Sequence, residues 1–551
     1  MNTQRLTSAY HDWTHGWHGL LVMYVLIAVF SLAGLKRARA GFNQYLYWPI
    51  TSVFTLVAVG LLLDVFGWIV DNIFKVHLAG IFGNLVSVLF IMFGGFAGGM
   101  YWAARGQPLK AMHGRGAVVL GGTEAQRHVR RLKSEGKRGP EAPLTLAGIT
   151  VPFEDETKHF KFMGTTGAGK STVMRELLDG ALNRGDRAVI ADPDGAFLSR
   201  FYDRARGDVI LNPFDSRSAK WDLFSELKNP YDIDQMARAF IPDRGNSDPT
   251  WTGYGRTFFS AIVRQARALK VADTAELYRL LTAAKREELQ ILVEGTPAAP
   301  FLEEGNEKFF GSVRSTTADA IKCLEYICAQ RGPAFSVREW VKEGRGVLFL
   351  PYQADQIAAL KSIISTWMRL AIFQTLSLGE GDWRLWFAVD ELDALGPIDG
   401  LSDALPRLRK FGGRCAIGFQ SISQVSTTYG QGVAQAMVEN CGTSLVLRCS
   451  ASENGGTSRF ASRLIGEREV VRVASSVSRS NAGFMGTPHD TRGVSEQHAT
   501  ESAVMPAEIE QLPDRSGFLK FPSQAAWIRV SFPYFDTPKV AEPFVQLSSH
   551  T

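Results

Sequence analysis

Eight residues, Gly164-Thr165-Thr166-Gly167-Ala168-Gly169-Lys170-Ser171, constrain the fold more than any other part of the chain, because they satisfy the pattern GxxxxGK[ST]. Glycines this close together weaken a helix or a strand, so the segment reads as a loop, and its flanks say which kind. His159 to Met163 is a short β-type run. After the loop, Val173, Met174, Leu177, Leu178, Ala181 and Leu182 recur at helical spacing and Gly185 ends the helix. Arg187 to Ala191 (RAVIA) then reads as a second buried strand, completing a βαβ unit. In such a unit backbone N–H groups curl around phosphates and the helix start adds the positive end of its dipole. Gly164, Thr165, Thr166, Gly167, Ala168, Gly169, Lys170, Ser171 and Thr172 are therefore the expected nucleotide-binding residues. Lys170 is expected to reach the β and γ phosphates and Ser171 to hold Mg²⁺, which makes ATP and Mg²⁺ the expected ligands.

A phosphate cradle by itself hydrolyses nothing. Downstream, Leu385-Trp-Phe-Ala-Val-Asp390-Glu391 is an apolar strand that ends in two acids. Paired with a phosphate loop, the first acid, Asp390, is expected to orient the Mg²⁺ shell and the second, Glu391, to polarise the attacking water. A third apolar strand, Cys415 to Phe419, ends at Gln420. At the tip of a strand beside the metal strand, Gln420 either touches the γ-phosphate or the water, or is a surface side chain in a loop.

At 551 residues the chain is long enough for two or three domains and a large core. Its five cysteines, Cys323, Cys328, Cys415, Cys441 and Cys449, form no CxxC pair and no zinc spacing, and read as reduced core residues. Ahead of the loop lie three apolar stretches, 19–35, 46–70 and 78–104. Each is near the roughly 20 residues that cross a bilayer, so a membrane stem over 1–104 is expected. Trp13, Trp17, Tyr45, Trp48, Trp68 and Trp102 sit near the span ends, as interfacial anchors. Lys36 to Arg39 and the segment from Arg105 to Arg138, with nine Lys or Arg against Glu124 and Glu135, place these flanks inside, and with them all that follows Ala104. That basic run either only fixes orientation or also meets anionic lipid or a polyanionic substrate.

The blocks HFKFMGTTGAGKS (159–171), AVIADPDGAFL (188–198), VILNPFDSRSAKWD (209–222), DPTWTGYGR (248–256), FAVDELDALG (387–396), RKFGGRCAIGFQSISQ (409–424) and SRLIGE (462–467) occur in order from about Gly114 onward. As a set they resemble the type IV secretion coupling proteins of the TraD/TrwB kind, inner-membrane ATPases of conjugative DNA transfer. The resemblance implies a RecA-like α/β P-loop ATPase domain with an inserted all-α domain, assembled as a homo-hexamer on a transmembrane helical stem in the bacterial inner membrane. The expected domains are the stem (1–104), a first nucleotide-binding part (105–228), the all-α domain (229–342) and a second nucleotide-binding part (343–551). Between Asn229 and Lys342 the composition independently favours amphipathic helices, as in TAELYRLLTAAKREELQILVEG. That lobe either meets incoming DNA or a relaxase complex, or only packs.

By resemblance the catalytic residues are Lys170, Glu391, Gln420 and Arg409, with Ser171 and Asp390 holding the metal. Arg409 either acts as an arginine finger on a neighbouring subunit's γ-phosphate or is a surface or DNA-facing charge. Asp192 in DPDG either lies near the pocket or shapes a turn. The implied partners are single- and double-stranded DNA bound without sequence preference, the relaxase or relaxosome, the channel proteins and membrane lipid. Two features depart from the pattern: three apolar segments where most relatives have two, and no long acidic tail, so recruitment is expected to rest on the helical lobe. The segment 474–502, rich in Ser, Gly and Thr, reads as a mobile loop. Two other readings are an ATP-gated receptor that does not pull DNA and a double-strand translocase of the FtsK kind, although the DNA-reading module usual in the latter is not evident.

Overall fold

The computed structural model describes residues 17–37, 45, 47–72, 81–106, 112–243, 249–271, 273–452, 455–480 and 489–547. They fall into two compact units, one of 1–114 with 469–499 and the other of 115–468 with 500–551.

In the first unit three helices cover the apolar stretches: α1 (Trp17–Arg37), α2 (Trp48–Asn72) and α3 (Ile81–Gly106). Glycines bring α1 and α3 into backbone contact. A Cβ on Gly99 would fall 2.1 Å from the Ser31 carbonyl oxygen, and one on Gly34 would fall 2.4 Å from that of Phe96. Between α1 and α2 the buried Ser31 and Ser52 hydroxyls lie 3.0 Å apart, and Trp48 Nε1 donates to Ser31 Oγ at 3.0 Å. Counted over the described residues alone, no helix is long and apolar enough to cross a membrane. The expected anchor Trp13, Arg39 of the first basic flank and residues 73–80 lie outside the described residues.

The second unit is built on a ten-stranded sheet. In chain order its strands are β1 (Val119–Leu120), β2 (Phe160–Met163), β3 (Arg187–Pro193), β4 (Val209–Ile210), β5 (Val347–Tyr352), β6 (Leu385–Val389), β7 (Gly413–Phe419), β8 (Thr443–Val446), β9 (Ser516–Lys520) and β10 (Trp527–Ser531). Their spatial order is β1-β10-β9-β8-β2-β7-β6-β3-β5-β4. From β8 to β4 every pairing is parallel; β9 pairs antiparallel with both β8 and β10. All-apolar runs such as LWFAV suit parallel strands covered on both faces, and alternate residues part accordingly. Phe160, Phe162, Ile190, Trp386 and Ala388 join one core with Val173, Met174, Leu177 and Leu178 of helix α4 (Lys170–Asn183). Met163, Val189, Leu385, Phe387 and Ile417 join the other, with Leu360, Ile364 and Trp367 of helix α5 (Ile357–Leu376).

Between β4 and β5, neighbours in the sheet, the chain leaves to form a lobe of helices that include Pro230–Phe240, Pro249–Ala268, Thr274–Thr282 and Glu307–Ile321. Phe240, Phe258, Phe259 and Leu277 share the second core with α5, so the lobe is packed onto the sheet side of the unit. Where the lobe begins and ends, Lys220–Trp221 and Ala334–Phe335 pair as a short parallel ribbon that composition alone does not show. The buried Glu226 closes that junction. It accepts from Trp221 Nε1 at 2.9 Å, Val337 N at 2.6 Å and Ser336 Oγ at 3.0 Å.

One expectation is corrected. The segment 474–502 is largely strand: Glu467–Ser480 and His489–Ser502 pair within a separate three-stranded sheet, and only 481–488 lies outside the described residues. Its Ser-rich pattern lacks the apolar face that marks most strands, which is why it reads as a loop.

Candidate nucleotide site

The loop 164–169 leaves the end of β2, and α4 begins at Lys170. Gly167 and Gly169 take φ values of +78° and +117°, in the left-handed region where a side chain would strain the backbone. Gly164 N donates to the Phe419 carbonyl at 3.4 Å and Thr165 N donates to the Arg448 carbonyl at 2.7 Å, so the strands on both sides of β2 hold the loop. Lys170 is buried, with Nζ donating to the loop carbonyls of Gly164 at 2.7 Å and Thr165 at 3.3 Å. Burial lowers its ammonium pKa, and the nearby Asp390 and Glu391 oppose that shift.

Strand order brings the two acids to the same edge. β6 and β7 run parallel to β2, so Asp390, Glu391 and Gln420 emerge beside the loop. Ser171 Oγ donates to Asp390 Oδ2 at 2.5 Å. Thr166 Oγ1 donates to Gln420 Oε1 at 2.9 Å, and Gln420 Nε2 donates to Glu391 Oε1 at 2.7 Å. Gln420 is therefore bonded into the site and is not a loose loop side chain. Burial raises the pKa of both carboxyls; for Asp390 the Ser171 bond and Lys170 oppose the shift, and for Glu391 the Gln420 bond opposes it. Asp390 Oδ1 is buried and has no hydrogen-bond partner. A buried carboxylate oxygen left open beside a serine hydroxyl is the donor set a hard divalent cation takes, so the residues present fit Mg²⁺.

Of two further expected residues, Asp192 lies beside Asp390 at the end of the neighbouring strand, and Arg409 lies elsewhere. Asp192, wholly buried at the end of β3, accepts from Phe197 N at 3.0 Å and Leu198 N at 2.7 Å, which is the turn role. Burial pushes its carboxyl up to about 7. Arg409 is exposed in the turn Arg409–Phe411 that precedes β7, at the opposite edge of the sheet, about 20 Å from this chain's own loop on the strand rise.

Sequence reasoning missed the far flank of the loop. Arg515 N donates to the Ala168 carbonyl at 2.9 Å, and a Cβ on Gly169 would lie 3.2 Å from both Arg515 Cγ and Phe532 Cζ. Beyond them, Arg175 of α4 donates through Nη2 to the Tyr534 hydroxyl at 3.4 Å, with its guanidinium carbon 5.4 Å from the ring centroid. No local pattern marks these residues, since only the antiparallel turn of β9 and β10 returns the chain to the loop.

A glycine loop between strand and helix, two acids on a parallel strand two places away, and a helical lobe inserted within the sheet define a RecA-like P-loop nucleotide-binding fold. Comparison with known proteins then narrows the class. Residues 143–533 match the type IV secretion-system coupling protein DNA-binding domain, and the chain belongs to that family of coupling proteins. The coupling protein TraD of Escherichia coli (strain K12) is 33% identical over 426 residues, covering 76% of this chain; the chain spans 58% of that relative's length. The bacterial conjugative coupling protein TrwBdeltaN70, unbound, is 31% identical with a TM-score of 0.69, over 80% of this chain and 98% of that one. The plasmid coupling protein TrwB in complex with ADP and Mg²⁺ is likewise 31% identical with a TM-score of 0.69, over 80% and 99%.

Proposed function

We propose that this chain is an ATP-hydrolysing coupling protein of the bacterial inner membrane that receives single-stranded DNA with its relaxase and drives it into a type IV secretion channel. The observation that carries the reading is the continuous bond path Thr166–Gln420–Glu391 beside Ser171–Asp390, which joins the phosphate loop to a base candidate and to a cation-ready carboxylate. Lys170 would exchange its two carbonyl partners for the β and γ phosphates. Ser171 and Asp390 would hold Mg²⁺, which when bound neutralises phosphate charge as the terminal bond breaks. Glu391, kept from rotating by Gln420, would orient the attacking water and accept its proton. Arg409, far from this chain's own loop, would serve a neighbour's site in a ring of six and so make hydrolysis wait for assembly.

Exposed apolar side chains on the N-terminal helices support the membrane stem: Leu21, Phe54 and Phe93 are 65%, 67% and 76% exposed. In length alone the helices, of 21, 25 and 26 residues or about 31–39 Å at the helical rise, match a hydrocarbon core of about 30 Å. DNA of either strandedness would be gripped through its backbone without sequence preference, with steep salt dependence. The test is Lys170→Ala and Glu391→Gln, scored by ATP hydrolysis and by DNA transfer between cells. Loss of both activities in each variant is expected; transfer that continues without hydrolysis would remove the motor reading.

A further inference from the structure

The site holds one group that hydrolysis does not use. β10 is antiparallel to β9, β9 is antiparallel to β8, and β8 is parallel to β2, so β10 delivers its C-terminal end to the same edge as the phosphate loop. The loop thus has two unlike flanks. On one side are Glu391, Asp390 and Gln420, where the terminal phosphate must lie if it is to be attacked. A nucleoside triphosphate laid along the loop with that end among the acids must put its nucleoside end on the other side. That side is where Arg515 and Phe532 abut Gly169 and where Tyr534 stands over Arg175.

Resting on the nucleotide reading above, we infer that the Tyr534 ring is the stacking platform for the base of the bound nucleotide. Tyr534 is 48% exposed although it touches α4, so part of its aromatic surface is free for a planar ligand. The guanidinium that approaches the ring is itself fixed: Arg175 is buried and donates Nε to the Ser171 carbonyl at 3.2 Å, one turn back toward the phosphates. A cation on one side of an aromatic ring and a base on the other is a favourable stack. The ring is also held from its C-terminal side. Asp536 pairs with Arg200 at 2.6 Å, Val540 N donates to the Ser199 carbonyl at 2.8 Å, and Ser216 N donates to the Val545 carbonyl at 2.8 Å. With the strap 536–545 anchored, ordering the ring costs little when the ligand arrives. Stacking engages any purine face, so this contact adds affinity with weak selectivity between bases.

The experiment uses the full-length protein in detergent, with a fluorescent ADP analogue as probe and ADP and inorganic pyrophosphate as separate competitors. Tyr534→Ala is expected to weaken ADP about tenfold, the scale of one base–aromatic stack, and to leave pyrophosphate binding within about twofold. Tyr534→Trp is expected to bind ADP as the parent does, and Tyr534→Leu, which keeps apolar bulk over Arg175, to lose as much as the alanine variant. Unchanged pyrophosphate binding also shows that a variant is folded. Equal weakening of both competitors, or no change in ADP, would overturn the inference. Failure of the parent protein to bind either competitor would remove the nucleotide reading and this inference with it.

Discussion

Gln420 holds Glu391 and Thr166 at once, donating to the first at 2.7 Å and accepting from the second at 2.9 Å. A single amide thus sets the rotamer of the proposed base and senses the loop that would carry the phosphates. Gln420→Ala is expected to lower kcat about 10- to 100-fold while KM for ATP moves less than about threefold, because the amide positions and does not bind. Steady-state ATP hydrolysis across substrate concentrations checks the split; a change confined to KM would contradict it.

Gly418 has no room for a side chain. A Cβ there would lie 2.3 Å from the Asp390 carbonyl oxygen, a backbone atom that cannot swing aside. Gly418→Ala should separate β7 from β6 at the catalytic edge, cost about 2–4 kcal/mol of stability and abolish most hydrolysis. Thermal unfolding together with ATPase measurement tests both parts.

Arg409 and Lys170 give a complementation test. If Arg409 serves the neighbour, then Arg409→Ala and Lys170→Ala, each inactive alone, should recover partial hydrolysis when mixed, since some interfaces pair an intact loop with an intact arginine. Recovery of about a quarter of the parent rate is the simple expectation for random mixing if one intact interface suffices. No recovery at any ratio would argue for a role within the same chain.

His159 should govern part of the acid response. It is buried, Nδ1 accepts from Cys415 N at 3.1 Å, and Nε2 therefore carries the proton that reaches the Leu405 carbonyl at 2.7 Å. Burial lowers its pKa to about 4; the Leu405 carbonyl opposes this, and Arg409 and Arg414 add to it. A folded pKa below the unfolded value means the folded chain binds fewer protons. The stabilisation is then complete above about pH 6.5 and is lost as pH falls from there toward 4. His159→Gln should flatten the decline of melting temperature across that window, whatever it does to the plateau at neutral pH.

The sequence made the centre of this site legible because its parts are local. The loop, RAVIA, LWFAV and CAIGF each announce themselves within a few residues, and runs that apolar imply parallel strands covered on both faces. Pairings between distant segments are harder to read. Neither the bond from Thr166 to Gln420 nor the contact of Gly169 with Phe532 has a neighbour in sequence to betray it. Asp192 illustrates the same limit: an acid at a strand end reads equally as a neighbour of the pocket or as a turn former, and only the folded chain shows both, with two backbone N–H groups donating to it one strand away from Asp390. The strands at 467–480 and 489–502 escaped because their sequences are dominated by Ser, Thr and charged residues, and the few valines of the first are too irregularly spaced to show a clear period of two.

The return of β10 to the loop has a consequence in time. Tyr534 lies 359 residues after its partner Arg175, so during synthesis the phosphate loop, its lysine and its helix emerge long before the strand that walls them on one side. β6 and β7 also follow the lobe, and β9 and β10 come last of all. A growing chain would therefore carry an unfinished nucleotide pocket until β9 and β10 leave the ribosome. A walled nucleotide pocket is in this way deferred until long after its phosphate loop has been made.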